Sequence, residues 1–232
     1  TIHRVAADAS VSDVTDAVQS DVITTSGNGS IVIRVTTGDL TLNDGSAADD
    51  NTAISAHGTG NILLETIDGS ITANEDVLSG SGDITVLASG SIEFTAEADI
   101  TTSLTGTIDL EATTGSITLA TDADQTTGSG DIRMLAGVDI TLGGVITTTG
   151  SVSLTTDSGS IFDGDSDGSV DIIAAALRID AAIGAGGLGG SVNPIETTID
   201  TLSARATSPG INILETDTLV IDDTTATTHR VA

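Results

Sequence analysis

The sequence contains no Cys, Trp, Tyr or Lys, and its only two Phe are Phe94 and Phe162. Without cysteine it has neither a disulfide framework nor a thiolate metal site. A core of differently oriented elements needs bulky aromatic side chains to fill its gaps, so their scarcity favours stacked, nearly identical layers. No stretch is typical of a membrane span, because the Ala/Gly-rich stretch 172–188 is interrupted by Arg178 and Asp180.

Positive charge is also scarce. Six arginines stand against 34 Asp and Glu, which gives a formal net charge of −28. Such a field repels nucleic-acid phosphates and anionic lipid surfaces, so we expect neither a nucleic-acid partner nor direct membrane insertion. Carboxylates also attract divalent cations. Disorder is not indicated, since 38% of the residues are hydrophobic and fall in short periodic runs.

What the chain does contain is a short repeated motif: a small residue, usually Gly, then a small polar residue, then an aliphatic one. The aliphatic residue opens an apolar–polar alternation, as in Ile84-Thr85-Val86, which is typical of a strand with one buried face. The motif begins at Gly29, Gly38, Gly60, Gly69, Gly82, Gly90, Gly106, Gly115, Gly130, Gly150, Gly159 and Gly168, and, without the leading glycine, at Ala98 and Val138.

The spacing of the motif distinguishes two all-β folds. Strands of about five residues, eight or nine residues apart, leave no room for helical crossovers, so an antiparallel sandwich and a parallel β-helix remain. From Gly60, every second or third motif recurs at a nearly constant step, at Gly82, Gly106, Gly130 and Gly150. This step predicts an all-β parallel β-helix with about three short strands in each coil of about 20–24 residues. About ten coils would make a segment about 50 Å long. We expect the leading glycines to adopt positive φ at the corners.

Three stretches depart from this rhythm. Residues 43–56 indicate a loop inserted in one coil, and the Ala/Gly-rich stretch 174–191 indicates an irregular coil. Residues 222–232 are polar and predict a junction to a following unit.

A longer repeat connects the two ends of the sequence. Residues 1–6 read Thr-Ile-His-Arg-Val-Ala and residues 227–232 read Thr-Thr-His-Arg-Val-Ala, so five of the six positions agree. The agreement includes His and Arg, of which the chain has only three and six. We therefore interpret residues 1–232 as one unit of a tandem array with a period of about 226 residues.

The Gly-Ser-Ile-x-Leu and Gly-Asp-Ile-x-Val strands resemble those of filamentous-haemagglutinin-like giant adhesins. A second block, from Ala175-Ala176-Leu177 to Gly210-Ile211-Asn212-Ile213, is similar to a recurrent stretch of such repeat regions. The resemblance implies a right-handed β-helix, secretion to the cell surface, and a rod or filament with a structural or adhesive role. We expect neighbouring units as end-to-end partners, and a cell-surface or glycan ligand. The resemblance brings no catalytic residue.

The best local candidate for a site is Asp163-Gly164-Asp165-Ser166-Asp167-Gly168. Alternating carboxylates with Gly at the sixth position match the opening of a calcium loop, and Asp171 supplies a later oxygen ligand. The twelfth position is Ala174, which excludes a complete EF-hand. The alternative is that Asp and Gly simply suit a tight corner. Two other acidic groups, Asp44 with Asp49 and Asp50, and Asp122 with Asp124, are interpreted as solvated connections.

Three functions stay open at this point. The first is a structural or adhesive rod without catalytic activity, the second a polysaccharide-processing β-helix enzyme, and the third a binding module stiffened by calcium. An exposed groove with Arg among carboxylates would favour the enzyme. Smooth faces of Thr, Ser and Asp would favour the rod, and stability that rises with calcium would favour the third function.

Overall fold

The computed structural model describes residues 1–45, 50–96, 98–165, 167–188 and 192–232. Its described part is all-β and contains no helix, so no helix there is long and apolar enough to cross a membrane. The strands are β1 (Ile2–Val5), β2 (Val11–Val14), β3 (Val22–Ile23), β4 (Ile31–Val35), β5 (Leu40–Leu42), β6 (Thr52–Ala56), β7 (Ile62–Thr66), β8 (Ile71–Ala73), β9 (Asp76–Ser79), β10 (Ile84–Ala88), β11 (Ile92–Phe94), β12 (Ile100–Thr101), β13 (Ile108–Ala112), β14 (Ile117–Leu119), β15 (Gln125–Thr126), β16 (Ile132–Ala136), β17 (Ile140–Leu142), β18 (Ile146–Thr147), β19 (Ser151–Thr156), β20 (Ile161–Asp163), β21 (Ile172–Ala181), β22 (Ile195–Arg205), β23 (Ile213–Glu215) and β24 (Val220–Ile221).

The strands stack in parallel into three faces of a β-solenoid, which confirms the predicted fold class. The chain visits the faces in turn, so that each strand from β3 to β18 pairs with the strand three places later. The first face holds β4, β7, β10, β13, β16 and β19, the second holds β5, β8, β11, β14, β17 and β20, and the third holds β3, β6, β9, β12, β15 and β18. The long strand β21 then pairs with both β18 and β19, joining the third and first faces, and β22 pairs with β21 along its length.

The core consists of aliphatic columns that run through the stack. On the first face Ile84 pairs with Ile62 on one side and with Ile108 on the other, and all three are fully buried. On the second face the buried Phe94 lies between Ala73 and Leu119, so a large ring is accommodated beside a small residue. The register therefore follows the coil steps read from the sequence.

The solenoid has about six turns, so it is shorter than the expected ten coils. At about 4.8 Å for each layer, six turns rise about 30 Å rather than 50 Å. The difference arises because not all of the chain forms coils. Residues 1–21 and 222–232 lie outside the stack. In addition, the last two complete coils, from Val152 to Leu177 and from Leu177 to Leu202, are each longer than the coil from Ile132 to Val152.

The expected role of the leading glycines was mostly wrong. Most of them, including Gly106 and Gly130, do not have positive φ. A Cβ atom at Gly130 would lie only 1.9 Å from the carbonyl oxygen of Gly106, one coil earlier. Glycine is therefore required at this corner because successive backbones approach too closely for a side chain. Gly38, with φ of 96°, is an exception that does use the left-handed region.

The small polar residue of the motif also has a structural role. At the corner before the first face, the side chain of one coil accepts a hydrogen bond from the backbone N–H of the next. Asn61 N donates to Ser30 Oγ, Asp83 N to Asn61 Oδ1 and Thr107 N to Asp83 Oδ1, each at 3.0 Å. Similar series of hydrogen bonds, which we call corner ladders, occupy the other two corners. They satisfy N–H groups that would otherwise be unpaired where the strands end.

The stretches that depart from the rhythm contain more strand than expected. Within 43–56, residues 52–56 form β6, and residues 46–49, including Asp49, lie outside the described part of the chain. Within 174–191, residues 174–181 belong to the ten-residue strand β21. Irregular backbone follows only after Ala181, and Gly189 to Ser191 are likewise outside the description.

Both ends of the described chain lie outside the coils. β1 and β2 form an antiparallel hairpin in which Ile2 pairs with Val14 and Val5 with Val11. Residues 222–232 contain no strand, and we call them the C-terminal tail. The tail turns back along the outer side of the first face, where its residues donate hydrogen bonds to β10, β13 and the corner at Asp131.

Candidate metal centre

Three buried carboxylates meet in the last coils of the solenoid. Asp163 ends β20, Asp171 immediately precedes β21, and Glu196 is the second residue of β22. Each offers an oxygen atom that lies within 4.8 Å of those of the other two. Their residues are only 8%, 3% and 5% exposed, respectively. The fold has brought together three carboxyl groups in a place where water is largely excluded.

Each carboxylate is positioned by the coil pattern. Asp163 pairs in register with Leu142, so it occupies a core position at which the preceding coil has a leucine. Asp171 belongs to a corner ladder, and its Oδ2 accepts a 2.8 Å hydrogen bond from the backbone N–H of Glu196 one coil later. Glu196 Oε2 is buried and accepts no hydrogen bond from the described residues. An unsatisfied buried carboxylate oxygen is costly unless a proton or a cation binds it.

The electrostatics of the cluster follow from this burial. Desolvation raises the pKa of Asp171 to about 8, and the negative charges of Asp163 and Glu196 add to that effect. Desolvation also raises the pKa of Glu196, with Asp163 as the next cause. Neither Asp171 nor Glu196 forms an ion pair with an arginine of the described chain. Three oxygen donors with excess negative charge suit a hard divalent cation such as Ca²⁺.

The other residues of the predicted calcium loop lie outside this cluster. Asp165 is half-buried and Asp167 is exposed. They form successive turns, in which Asp165 N donates to Asp163 Oδ1 and Asp167 N donates to Asp165 Oδ1. Hydrogen bonds from Ser169 lower the pKa of Asp167, whereas desolvation raises that of Asp165. The sequence had singled out Asp163 and Asp171 but not Glu196, which lies one coil beyond Asp171.

A second acidic group consists of Asp44 and Asp50, which are close along the chain, and of Asp21, which only the fold brings to them. Asp21 and Asp44 are half-buried and Asp50 is exposed. Asp21 and Asp44 each also have one buried carboxylate oxygen that accepts no hydrogen bond from the described residues. Unlike the first cluster, however, none of these three residues is fully buried. Asp124, by contrast, belongs to a corner ladder and accepts a hydrogen bond from Val145 N at 2.8 Å.

Arginine side chains also bind carboxylates elsewhere, which is the arrangement that would favour a polysaccharide-processing enzyme if it lined an exposed groove. On the first face Arg133 contacts Asp109 at 2.6 Å and Glu111 at 3.3 Å, and Arg230 of the tail binds the same two residues. However, the side chain of Asp109 is only 2% exposed, since the tail covers it. The tail therefore closes off Asp109. A second group of this kind, on the outer side of the last coils, does line a shallow pocket, and it consists of Arg178, Asp180 and Arg205.

Comparisons with protein-family models, with curated proteins and with solved structures each gave no match to this chain. The parallel β-solenoid is therefore the level of classification that the structure supports.

Proposed function

We propose that this chain is a structural unit of an extracellular rod or filament, and that calcium stiffens its last coils. The observation that carries the proposal is the continuous stack of in-register strands, whose second face has an outward column made mostly of threonine. On the second face the outward column contains Thr41, Thr72, Thr118 and Thr141 in four of its six layers. A regular surface of this kind suits lateral presentation along a rod better than the binding of a substrate in a cleft.

The edges of the stack support end-to-end assembly. Among the described residues, the first-coil strands β3, β4 and β5 each pair on one side only, with β6, β7 and β8. At the other end, within the same described part of the chain, β23 and β24 pair only with β22. Unpaired strand edges are templates for further pairing. Tandem units stacked through these edges would continue both the backbone ladders and the aliphatic columns from one unit to the next.

The buried carboxylates support the calcium component. A cation at Asp163, Asp171 and Glu196 would neutralise the excess negative charge and connect β20, β21 and β22. Those strands belong to the last coils, next to the edge at which a following unit would stack. We further propose that the rod is exported to the cell surface, where its polar faces meet a cell-surface or glycan partner. This part of the proposal follows the resemblance to giant adhesins.

The test is electron microscopy of a chain with three tandem copies, imaged with calcium and with chelator. We expect continuous rods that lengthen by about 30 Å for each copy and show a layer spacing near 4.8 Å. Rods that bend between copies only in chelator would support calcium stiffening. Separate compact particles on flexible linkers in both conditions would contradict the rod.

A second measurement tests the metal centre by itself. Calcium titration of the single unit by calorimetry should show one site that Glu196→Gln removes. Asp167→Asn serves as the matched control, because Asp167 is exposed and outside the cluster. Binding that is absent, or that survives Glu196→Gln unchanged, would contradict the site while leaving the rod intact.

A further inference from the structure

The tail occupies a defined groove on the first face. Its backbone N–H groups at alternate residues donate to side chains of three successive coils: Thr227 N to Asp131 Oδ2 at 2.6 Å, His229 N to Thr107 Oγ1 at 2.9 Å and Val231 N to Thr85 Oγ1 at 3.0 Å. The tail therefore runs across the strands, towards the first coils.

The central contact of the groove is an ion pair between one arginine and two carboxylates. Arg230 donates from Nε to Asp109 Oδ2 at 2.8 Å and from Nη2 to Glu111 Oε2 at 2.5 Å. Asp109 and Thr85 point outward from the sheet, yet they are only 1% and 0% exposed. Burial of this degree at outward positions shows that the tail fits the groove closely. A two-pronged hydrogen bond between guanidinium and carboxylates adds geometric specificity.

The same motif is present a second time at the other end of the chain. Residues 1–6 match residues 227–232 at five positions, including His3 and Arg4. Here the motif forms β1, and Arg4 makes no ion pair with the described residues. The hairpin exposes Ile2 (64%), Val5 (67%) and Val11 (60%). A two-stranded hairpin with exposed aliphatic side chains is marginal without a packing partner.

The two copies of the motif use opposite backbone edges. In the hairpin Ala6 N donates to Ser10 O, so residues 2, 4 and 6 are the hydrogen-bonded positions of β1. In the groove the donors are residues 227, 229 and 231, which correspond to 1, 3 and 5. A single copy of this six-residue motif can therefore use one backbone edge to pair with β2 and the opposite edge to bind a first-face groove.

We infer that β1 of one copy of this chain docks in the first-face groove of the preceding copy. The inference rests on the tandem arrangement proposed above, in which the tail of one unit and β1 of the next are the same segment. That segment would be held by the groove of one unit and by β2 of the following one. Each groove then binds one arginine, and Arg4 forms its ion pairs with Asp109 and Glu111 of the preceding copy.

The path of the chain is compatible with coaxial stacking. The tail begins beside β22, where Asp222 N donates to Leu202 O, and it ends beside β10, where Val231 N donates to Thr85 Oγ1. Between these two strands it runs back along the solenoid by five layers, or about 24 Å. The β1–β2 hairpin then reverses the direction of the chain. Residues 11–21 can span about 36 Å when extended, which is enough to return to the end of the preceding unit.

Limited tryptic digestion tests the inference, because the chain has no Lys and only six Arg. The substrate is a chain of two copies, in which residues 1–226 are followed by residues 1–232. We expect rapid cleavage after Arg4 of the first copy, which has no groove before it. Cleavage after Arg4 of the second copy should be at least about tenfold slower, by protection in the groove. Mass spectrometry distinguishes the products.

Matched variants separate docking from general stability. The pair Asp109→Asn and Glu111→Gln in the first copy should accelerate cleavage at the junction by about tenfold. The same two substitutions in the second copy should accelerate only the cleavage after Arg230 at the end of that copy. Equal cleavage rates at the first Arg4 and the junction would overturn the inference, as would acceleration of both protected sites by either variant pair. A junction cut rapidly within straight rods would contradict docking but not the rod.

Discussion

The backbone N–H of Asp124 donates a 2.8 Å hydrogen bond to Oδ1 of Asp99, which stands at the same corner one coil earlier. Asp99 N donates in turn to Asp76 Oδ1 at 2.8 Å. The carboxylates thus act first as hydrogen-bond acceptors that connect the coils. Their negative charge is a liability in this position, because desolvation raises the pKa of Asp99 and the neighbouring Asp76 and Asp124 raise it further.

Asp99→Asn separates these two effects. The amide oxygen can accept the same hydrogen bond without the charge, so we expect the free energy of unfolding at neutral pH to stay the same or rise. Asp99→Ala removes the acceptor and should be less stable than Asp99→Asn by about 1–2 kcal/mol. Urea unfolding measures both variants. Equal stability of the Asn and Ala variants would show that the ladder bond contributes nothing.

The pH dependence of stability without calcium follows from Asp171. Its pKa is raised to about 8, so between its ordinary value and about 8 the folded state binds more protons than the unfolded state. This contribution to stability is present below about pH 4 and is lost as the pH rises through about 8. Calcium requires the deprotonated carboxylate. We therefore expect calcium to raise the melting temperature by several degrees near pH 8.5 and by much less near pH 5.5, as measured by calorimetry against chelator.

The control for this experiment is a pair of isosteric variants. Asp171→Asn retains an oxygen to accept the hydrogen bond of Glu196 N but removes the charge. It should raise stability in chelator and abolish the response to calcium. Asp165→Asn, outside the buried cluster, should retain the response. The same calcium shift in both variants would exclude Asp171 as a ligand.

The two phenylalanines provide a matched test of the core. Phe94 is 1% exposed and stacks between Ala73 and Leu119, whereas Phe162 is 44% exposed. Phe94→Ala should lower the free energy of unfolding by about 3–5 kcal/mol, because the neighbouring layers are held by their own ladders and cannot close the cavity. Phe162→Ala should cost less than about 1 kcal/mol. Similar losses for both, in urea unfolding, would contradict the described register.

Gly130 tests the close approach of successive coils. A Cβ there would lie 1.9 Å from Gly106 O, so Gly130→Ala must push two coils apart and should cost about 3 kcal/mol. Gly38 has open space around a Cβ position but φ of 96°, so Gly38→Ala should cost only about 1 kcal/mol of backbone strain. Thermal or urea unfolding compares the two. A reversed order would mean that backbone conformation, and not coil spacing, determines the choice of glycine.

The fold was predictable because its signals are local or regularly spaced. Alternation such as that at Ile84-Thr85-Val86 identifies the buried side of each strand, and the steps between motifs give the coil. The reason for Gly130 was not predictable in the same way. It depends on the distance between two coils, which no single motif reports, so a general preference of glycine for corners led to the wrong explanation.

The candidate metal centre was predictable only in part, for a related reason. The sequence groups Asp163 with Asp165, Asp167 and Asp171 because they are close along the chain. The structure instead brings Asp163 and Asp171 together with Glu196, which lies in the next coil. The missing signal was the coil step, since one further coil leads from Asp171 to Glu196. The tail contacts had no comparable signal, since Arg230 and Asp109 are 121 residues apart.

The corner ladders have a direction. In the hydrogen bonds from Asn61 N to Ser30 Oγ and from Asp83 N to Asn61 Oδ1, the acceptor always belongs to the earlier coil and the donor to the later one. A completed coil therefore presents side-chain acceptors to the segment that follows it, together with backbone donors such as Ile62 N, which donates to Asp83 O of the next coil. The solenoid can accordingly grow from its amino-terminal side, one coil at a time, in the order in which a ribosome or an export channel releases the polypeptide.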